Sequence, residues 1–474
     1  MIFLDDEDNL IAQQQDIELF NNIGYLDDFE GRLTVWLTIN PTPRIRWEFE
    51  VARGDYRFIE KPKRLVSWED TSPSLVVFAP KAHSSVGCRS QMSGYAEKVI
   101  YGNIDTLAHY FNFYLPNTDF IRQATGGNFQ DFINNFNQPL KANLGNGWTV
   151  ELFTNEHALK WLDPRQVNQG SMITLKIQLF DTDKDNIDKI QNLRVKSILD
   201  ASKIFYELCL MLSYINGGYV QPIYLTANKA GLNERHQRSS LAISQLISPI
   251  EEVGKSFLRN YGIEDLLNFI NCFSNFQKMR QLPHWQEKWI LILEWYFQAI
   301  PRISERRRNP LLPVVVNALG TLLENLARII LVDDELDQVK RDIKEKQFER
   351  DKKYLKKIKD LGLEKYGFNL ENEWKEDGLA RYRLRLLLKR IGINNEEDNI
   401  KNFVRIRNNA THAKNDDLNL DIMKQHEVVW TATQWVDEII LWRLGYNGQY
   451  KQRSLKTDKP INPRYDLSLR DCDW

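Results

Sequence analysis

Leu33-Thr34-Val35-Trp36-Leu37-Thr38-Ile39 places an apolar residue at every second position. That period is the repeat of a strand with one buried face; on a helix the same residues would scatter around the axis. The pattern returns where Ile45, Trp47, Phe49 and Val51 alternate with Arg44, Arg46, Glu48 and Glu50. It returns again where Ile173, Leu175, Ile177 and Leu179 alternate with Thr174, Lys176 and Gln178. Shorter strand candidates are Ser74–Phe78, Lys98–Tyr101 and Trp148–Phe153. Half-buried strands with polar outer faces predict an antiparallel sandwich or open barrel over residues 1–180. The Asn-, Phe- and Gly-rich stretch 104–147 reads as loops, either ordinary connections or a recognition surface.

After residue 180 the period changes. A charged turn, Asp181–Asp188, leads to a helix near 190–214 carrying Ile198, Ile204, Phe205, Leu208, Leu212 and Ile215. Gly217-Gly218 ends it, as glycine commonly does past a last helical turn. Tyr219–Leu225 reads as a short strand, 226–245 as a polar exposed loop, and 246–300 as helical and aromatic. Pro301 to Pro313, bracketing Arg306-Arg307-Arg308, is the expected entry to an all-helical domain over 310–450. The polar tail 451–474 is expected to pack loosely or to swap onto a partner chain. The predicted fold class is α+β: a strand-rich, sandwich or barrel-like N-terminal domain, a mixed, mainly helical middle region over 181–300, and an all-α C-terminal bundle.

Composition narrows the functional classes. With 474 residues, 27% charged and a net charge of −1, the chain is not globally basic, so any nucleic-acid site must be a local patch. Thirteen tryptophans spread along the chain point to large cores. Cys88, Cys209, Cys272 and Cys472 are far apart and fit neither a zinc knuckle nor a disulfide framework. The acidic start Met-Ile-Phe-Leu-Asp-Asp-Glu-Asp has no signal-peptide pattern, and a cytoplasmic protein is expected. The apolar run Leu311–Val332 is broken by Asn317, Glu324, Asn325 and Arg328, and reads as a buried helix, not a membrane span. Gly254-Lys255-Ser256 resembles a P-loop ending, but Pro249 stands where the first glycine is required. No cofactor or metal-binding motif appears, which favours a metal-independent reaction.

In the helical region, Asn317, Thr321, Glu324 and Arg328 fall on one narrow polar stripe of the apolar helix 314–332. The stripe either faces water, with Glu324 and Arg328 as an i,i+4 ion pair, or lines a groove in which Glu324 orients a catalytic group. A charged helix over 333–360 and a basic one carrying Arg381, Arg383, Arg385, Lys389 and Arg390 follow. His426 lies on the apolar side of a helix over 420–444 that Gly445 stops, and reads as a core histidine.

Between these helices runs Phe403-Val404-Arg405-Ile406-Arg407-Asn408-Asn409-Ala410-Thr411-His412-Ala413-Lys414-Asn415. Ile400, Phe403 and Val404 form an apolar stripe that Arg407 shares, whereas Arg405 lies off it and faces solvent. An arginine on a core-facing stripe is costly unless an anion meets it. The helix is expected to stop near Ala410, leaving His412 at or just past its C-terminus, where the dipole favours the protonated imidazole. Residues five apart on a continuous helix are separated by about 140°, so a helix end here would let Arg407 and His412 converge.

Arg407-Asn408-x-x-x-His412 resembles the R-x(4–6)-H signature of HEPN-superfamily ribonucleases, including the polar residue after the arginine. The whole chain resembles the ApeA-type HEPN proteins of bacterial anti-phage defence, which join a strand-rich N-terminal domain to a C-terminal HEPN domain. Gly31-Arg32-Leu33, Leu210–Gly218 and Leu322-Leu323-Glu324-Asn325 carry that likeness. The resemblance implies a metal-independent endoribonuclease that cleaves host RNA, with tRNA a candidate, and so halts growth on infection. The N-terminal domain would sense a phage trigger that residues 1–300 do not identify. The implied catalytic set is Arg407, Asn408 and His412, with Glu324 orienting them. Arg381, Arg385, Arg306, Arg307, Arg405 and Lys414 are the expected RNA contacts. One histidine per chain cannot be acid and base at once, so a homodimer or higher assembly through the HEPN domain is expected. The alternative is a non-catalytic HEPN scaffold that recognises RNA, protein or glycan.

Overall fold

The alternating stretches are strands in the computed structural model, which describes residues 10–11, 15–26, 29–40, 43–51, 64–69, 72–78, 81–83, 91–101, 107–125, 139–162, 171–182, 193–228, 239–243, 262–300, 312–331, 353, 375–412, 421–453 and 460–470. Arg306, Arg307, Lys414 and, apart from Lys353, the helix expected over 333–360 lie outside the described residues. The chain divides into two compact units, Met1–Ser274 with Arg302–Ser304, and Asn275–Pro301 with Glu305–Trp474.

The strands of the first unit are β1 (Ile17–Leu26), β2 (Phe29–Thr38), β3 (Arg44–Val51), β4 (Arg64–Glu69), β5 (Ser72–Phe78), β6 (Lys81–His83), β7 (Gln91–Ala96), β8 (Lys98–Tyr101), β9 (Leu107–Ala108), β10 (Tyr110–Pro116), β11 (Leu140–Gly145), β12 (Trp148–Phe153), β13 (Ile173–Thr182), β14 (Leu193–Arg194), β15 (Lys196–Ser197), β16 (Tyr224–Asn228) and β17 (Ser239–Ile243). Its helices are α1 (Phe120–Thr125), α2 (Glu156–Trp161), α3 (Ile198–Asn216) and α4 (Ile263–Asn271).

Fifteen of the strands join one antiparallel sheet, in the order β11-β12-β13-β10-β16-β17-β8-β5-β4-β1-β2-β3-β7-β6, with β14 beside β13. Open sheets seldom exceed about ten strands without curling. This one curls: β17 and β3, six places apart in the order, touch each other. The apolar residues that set the period sit on the inner side of the curl. Leu33, Val35 and Leu37 pair in register with Phe49, Trp47 and Ile45, and all six are fully buried. Tyr114 of β10, Ile173 of β13 and Tyr224 of β16 belong to the same core.

Two sequence expectations fail here. The stretch 104–147 contains β9, β10, α1 and β11, and the polar stretch 226–245 contains the end of β16 and all of β17. β10 lies between β13 and β16 and is buried along almost its whole length. A strand covered on both faces has no alternation to betray it. The helix expected near 190–214 is α3, capped by Ser197, whose side chain accepts the Asp200 N–H, and by left-handed Gly217 at φ 69°. Phe205 stacks on Phe113 and fixes α3 against the sheet.

The second unit holds α5 (Phe273–Gln281) from Asn275 onward, α6 (Pro283–Ala299), α7 (Leu312–Ile330), α8 (Lys375–Arg390), α9 (Glu397–His412) and α10 (Ile422–Leu444). α7 touches α6, α8, α9 and α10. Its burial on several sides explains the long apolar run. Among the described residues it is the one helix long and apolar enough to cross a membrane, and here it is the helix the others pack around. α10 begins at Asp421, whose side chain accepts the Lys424 N–H, and ends at left-handed Gly445. His426 is buried in it, and Trp435 meets Phe403 of α9 edge-on.

The described residues of the tail are not loose. Tyr446, Tyr450, Arg453 and Tyr465 are buried. β18 (Tyr450–Lys451) pairs with β19 (Pro460–Ile461), and the Trp442 indole N–H donates to the Asp466 carbonyl at 2.9 Å. The polar composition misled because two of these polar groups, Arg453 and Arg464, are ion-paired to α10. Arg453 bonds Asp437 at 2.8 Å, and Arg464 grips both oxygens of Glu438 at 2.6 and 2.8 Å.

Candidate functional site

α9 is built to hold an arginine against α7. Ile400, Phe403, Val404 and Ile406 are buried and anchor the helix. Arg407, on the same side, is half-buried, whereas Arg405 is exposed. Arg407 lies across α7 at Gly320, where an added Cβ would stand 2.6 Å from its Nε and 2.8 Å from its Cδ. Glycine leaves room for the guanidinium to reach the next turn of α7, where its Nη2 stands 3.6 Å from Glu324 Oε2. Alanine would favour the helix by about 1 kcal/mol. Gly320→Ala is therefore expected to keep or raise the melting temperature while displacing Arg407, and to lower any Arg407-dependent activity by one to two orders of magnitude, roughly the effect of a 1 Å misplacement. A melt and an activity assay on the same preparation check this.

Asn317 and Glu324 of the α7 stripe face neighbouring helices, whereas Arg328 is exposed. Thr411 Oγ1 lies 2.8 Å from Asn317 Oδ1 and 2.9 Å from the Arg407 carbonyl oxygen. With one proton to give, the hydroxyl shares it or receives from a turned-over Asn317 amide. Either way the last turn of α9 is tied to α7, which explains why the helix runs to His412 and does not stop at Ala410. Arg407 and His412 are thus about 140° apart around one continuous helix, and a helix break does not bring them together. His412 is placed by its backbone alone; its side chain lies outside the described structure. Asn408 is half-buried.

Glu324 collects three cations. Arg328, one turn along α7, donates to Oε1 at 2.9 Å, so the expected i,i+4 pair exists alongside the contact to Arg407. Arg383 of α8 donates to the same oxygen at 3.3 Å. Sequence reasoning missed Arg383 by counting it into a basic face. Its phase held the signal: two residues from both Arg381 and Arg385, it lies on roughly the opposite side of α8.

Arg381 and Arg385 occupy that other side, and both hold Glu397 in the first turn of α9. Arg385 Nε donates to Glu397 Oε2 at 2.7 Å, and Arg381 Nη2 to Oε1. The hydrogen bond from Arg385, assisted by Arg381, keeps the Glu397 carboxyl below the usual carboxylate range. These two expected RNA contacts thus clamp α8 to α9, which leaves one positive charge of two (2 − 1) for anything else. Burial pushes the Cys209 thiol well up, which makes it a packing residue and not a nucleophile.

Comparison with family models, with curated proteins and with solved structures found no match.

Proposed function

We propose that the chain is a HEPN-type, metal-independent endoribonuclease of bacterial anti-phage defence, acting in the cytoplasm. The observation that carries this reading is the state of Arg407. Its guanidinium is half-buried against α7, near Glu324 of that helix's polar stripe, five residues before a histidine, and its one ionic contact among the described residues is too long for a hydrogen bond. A planar fork with donors to spare is matched to two phosphate oxygens.

In this reading the ribose 2′-hydroxyl gives its proton to a base and attacks the adjacent phosphorus. The bond from phosphorus to the 5′ oxygen breaks, and that oxygen takes a proton. The products are a 2′,3′-cyclic phosphate and a free 5′-hydroxyl. His412 serves as base or acid. Arg407 stabilises charge on the equatorial oxygens, and Asn408 positions the phosphate or the histidine. The second proton carrier is His412 of another copy, in a homodimer through the helical unit, or a water. The strand-rich unit senses infection, and host RNA, with tRNA a candidate, is the substrate.

Total-RNA sequencing with cyclic-phosphate capture after induction tests this directly. New cyclic-phosphate ends are expected with the wild type and not with His412→Ala. Cleavage is expected to persist in EDTA; loss there overturns the metal-independent mechanism. The Glu324 carboxylate near Arg407 favours a second reading, a non-catalytic scaffold in which Arg407 has a structural counter-ion. Under it, neither protein generates new ends.

A further inference from the structure

Three guanidinium groups from three helices meet one carboxylate. Arg328, Arg383 and Arg407 stand 2.9, 3.3 and 3.6 Å from Glu324 oxygens. Among the described residues of this cluster, two positive charges are in excess (3 − 1). Arg328 lies largely in solvent, with 59% of its side chain exposed, whereas the Arg383 side chain is only 14% exposed. A cation shielded from water and short of counter-charge favours an incoming anion. Donors are in excess too. Arg383 Nε is buried with no hydrogen-bond partner. Arg407 approaches Oε2 of Glu324 without a hydrogen bond, while Oε1 serves Arg328 and Arg383.

We propose that Arg383 and Arg407 together bind one phosphodiester of the RNA strand, and that Glu324 is the internal anion this phosphate displaces. The proposal rests on the ribonuclease reading of Arg407 and adds to it a second phosphate-binding arginine and a competing carboxylate. Glu324 occupies the fork when the site is empty. It keeps the two guanidinium groups aligned and weakens binding by the free energy needed to move it aside. Gly320 is what allows Arg407 to lie within reach of the same carboxylate as Arg383.

The test uses the full chain and a fluorescein-labelled 2′-O-methyl RNA oligonucleotide, which keeps every phosphate but cannot be cut by 2′-oxygen attack. Anisotropy at fixed salt gives Kd. Arg383→Gln is expected to weaken binding about tenfold, the loss of a charge-assisted hydrogen bond. Glu324→Gln is expected to tighten it several-fold. The deciding variant is Arg383→Gln in the Glu324→Gln background. If Arg383 served only to neutralise Glu324, nothing would be lost there; a phosphate-binding Arg383 costs about tenfold again. Unchanged binding in that pair, or weaker binding by Glu324→Gln, overturns the proposal. Should a variant melt early, the wild-type protein is titrated with inorganic phosphate. Displacement of the strand beyond that caused by chloride of equal ionic strength is expected, and equal displacement by chloride overturns the site. Cleavage of the matching unmodified RNA is followed in parallel. Binding that depends on Arg383 without cleavage sinks the ribonuclease reading alone. Cleavage with binding indifferent to Arg383 and Glu324 sinks the phosphate site alone.

Discussion

Replacing His412 by alanine is expected to lower RNA cleavage by roughly 10²–10⁴-fold, the range for losing a general acid or base. Arg407→Ala is expected to cost about 10²–10³-fold, as when one preorganised donor to a developing negative charge is removed. Neither change should unfold the protein. Alanine is a good helix former, and His412 is the last residue of α9. Without Arg407, Glu324 keeps Arg328 at 2.9 Å and Arg383 at 3.3 Å, so no buried carboxylate is stranded. Arg407→Lys keeps the charge but not the planar fork, and is expected to recover little. Because the two residues act on one transition state, the double variant should be barely slower than the worse single one. Single-turnover cleavage of a defined RNA, with circular dichroism on the same samples, checks all four variants. Full activity of both alanine variants in folded protein would end the ribonuclease reading.

The second large effect lies away from the candidate site. Arg453→Ala is expected to destabilise the helical unit by about 3–5 kcal/mol, the usual result of leaving one member of a buried ion pair alone. Asp437 is fully buried; it receives Arg453 Nε at 2.8 Å and the Tyr296 hydroxyl at 2.7 Å. Arg453 also donates to the Tyr296 oxygen at 3.0 Å. These bonds join α6, α10 and the tail. Tyr450 donates to Glu438 at 2.6 Å, and burial, then the Glu438 charge, hold its phenol far above the ordinary range. Removing Arg453 takes the charged partner away from a carboxylate that is fully buried. Arg453→Met combined with Asp437→Leu is expected to recover most of the loss, since an apolar pair of similar volume can replace a buried ion pair at little cost. Urea unfolding of the wild type, the single and the double variant measures this. If the single variant loses less than 1 kcal/mol, the tail is not locked by its ion pairs.

How far each element was legible depended on where its partners lay. The strands at 33–39, 44–51 and 173–179 declared themselves because each is polar on one side and apolar on the other. β10 did not, because both of its faces are covered, and β16 was placed too early, at Tyr219–Leu225, because its continuous burial gives no alternation to set its bounds. The cap of α3 at Gly217 and that of α10 at Gly445 were legible because a cap is made by residues within a turn of the helix end. The tail was misread because its polar residues satisfy charges from elsewhere in the sequence.

The candidate site divides in the same way. The phase of α9 singled out Arg407 over Arg405, and the phase of α7 gathered Asn317 and Glu324 on one stripe. Both are properties of neighbours along one helix and need no tertiary contact. That Arg383, 59 positions after Glu324, would reach that carboxylate was not readable, nor that Arg381 and Arg385 would turn the other way to hold Glu397. A charged side chain carries no mark of its partner. Helix packing around α7 decides which guanidinium groups converge, and on this packing Arg407 stands among an excess of positive charge instead of in a closed pair. Sequence alone determined the classes of element and the face each presents. Only the tertiary structure decided the curling of the sheet, the locking of the tail and the company that Arg407 keeps, because those are set by contacts between residues far apart in the chain.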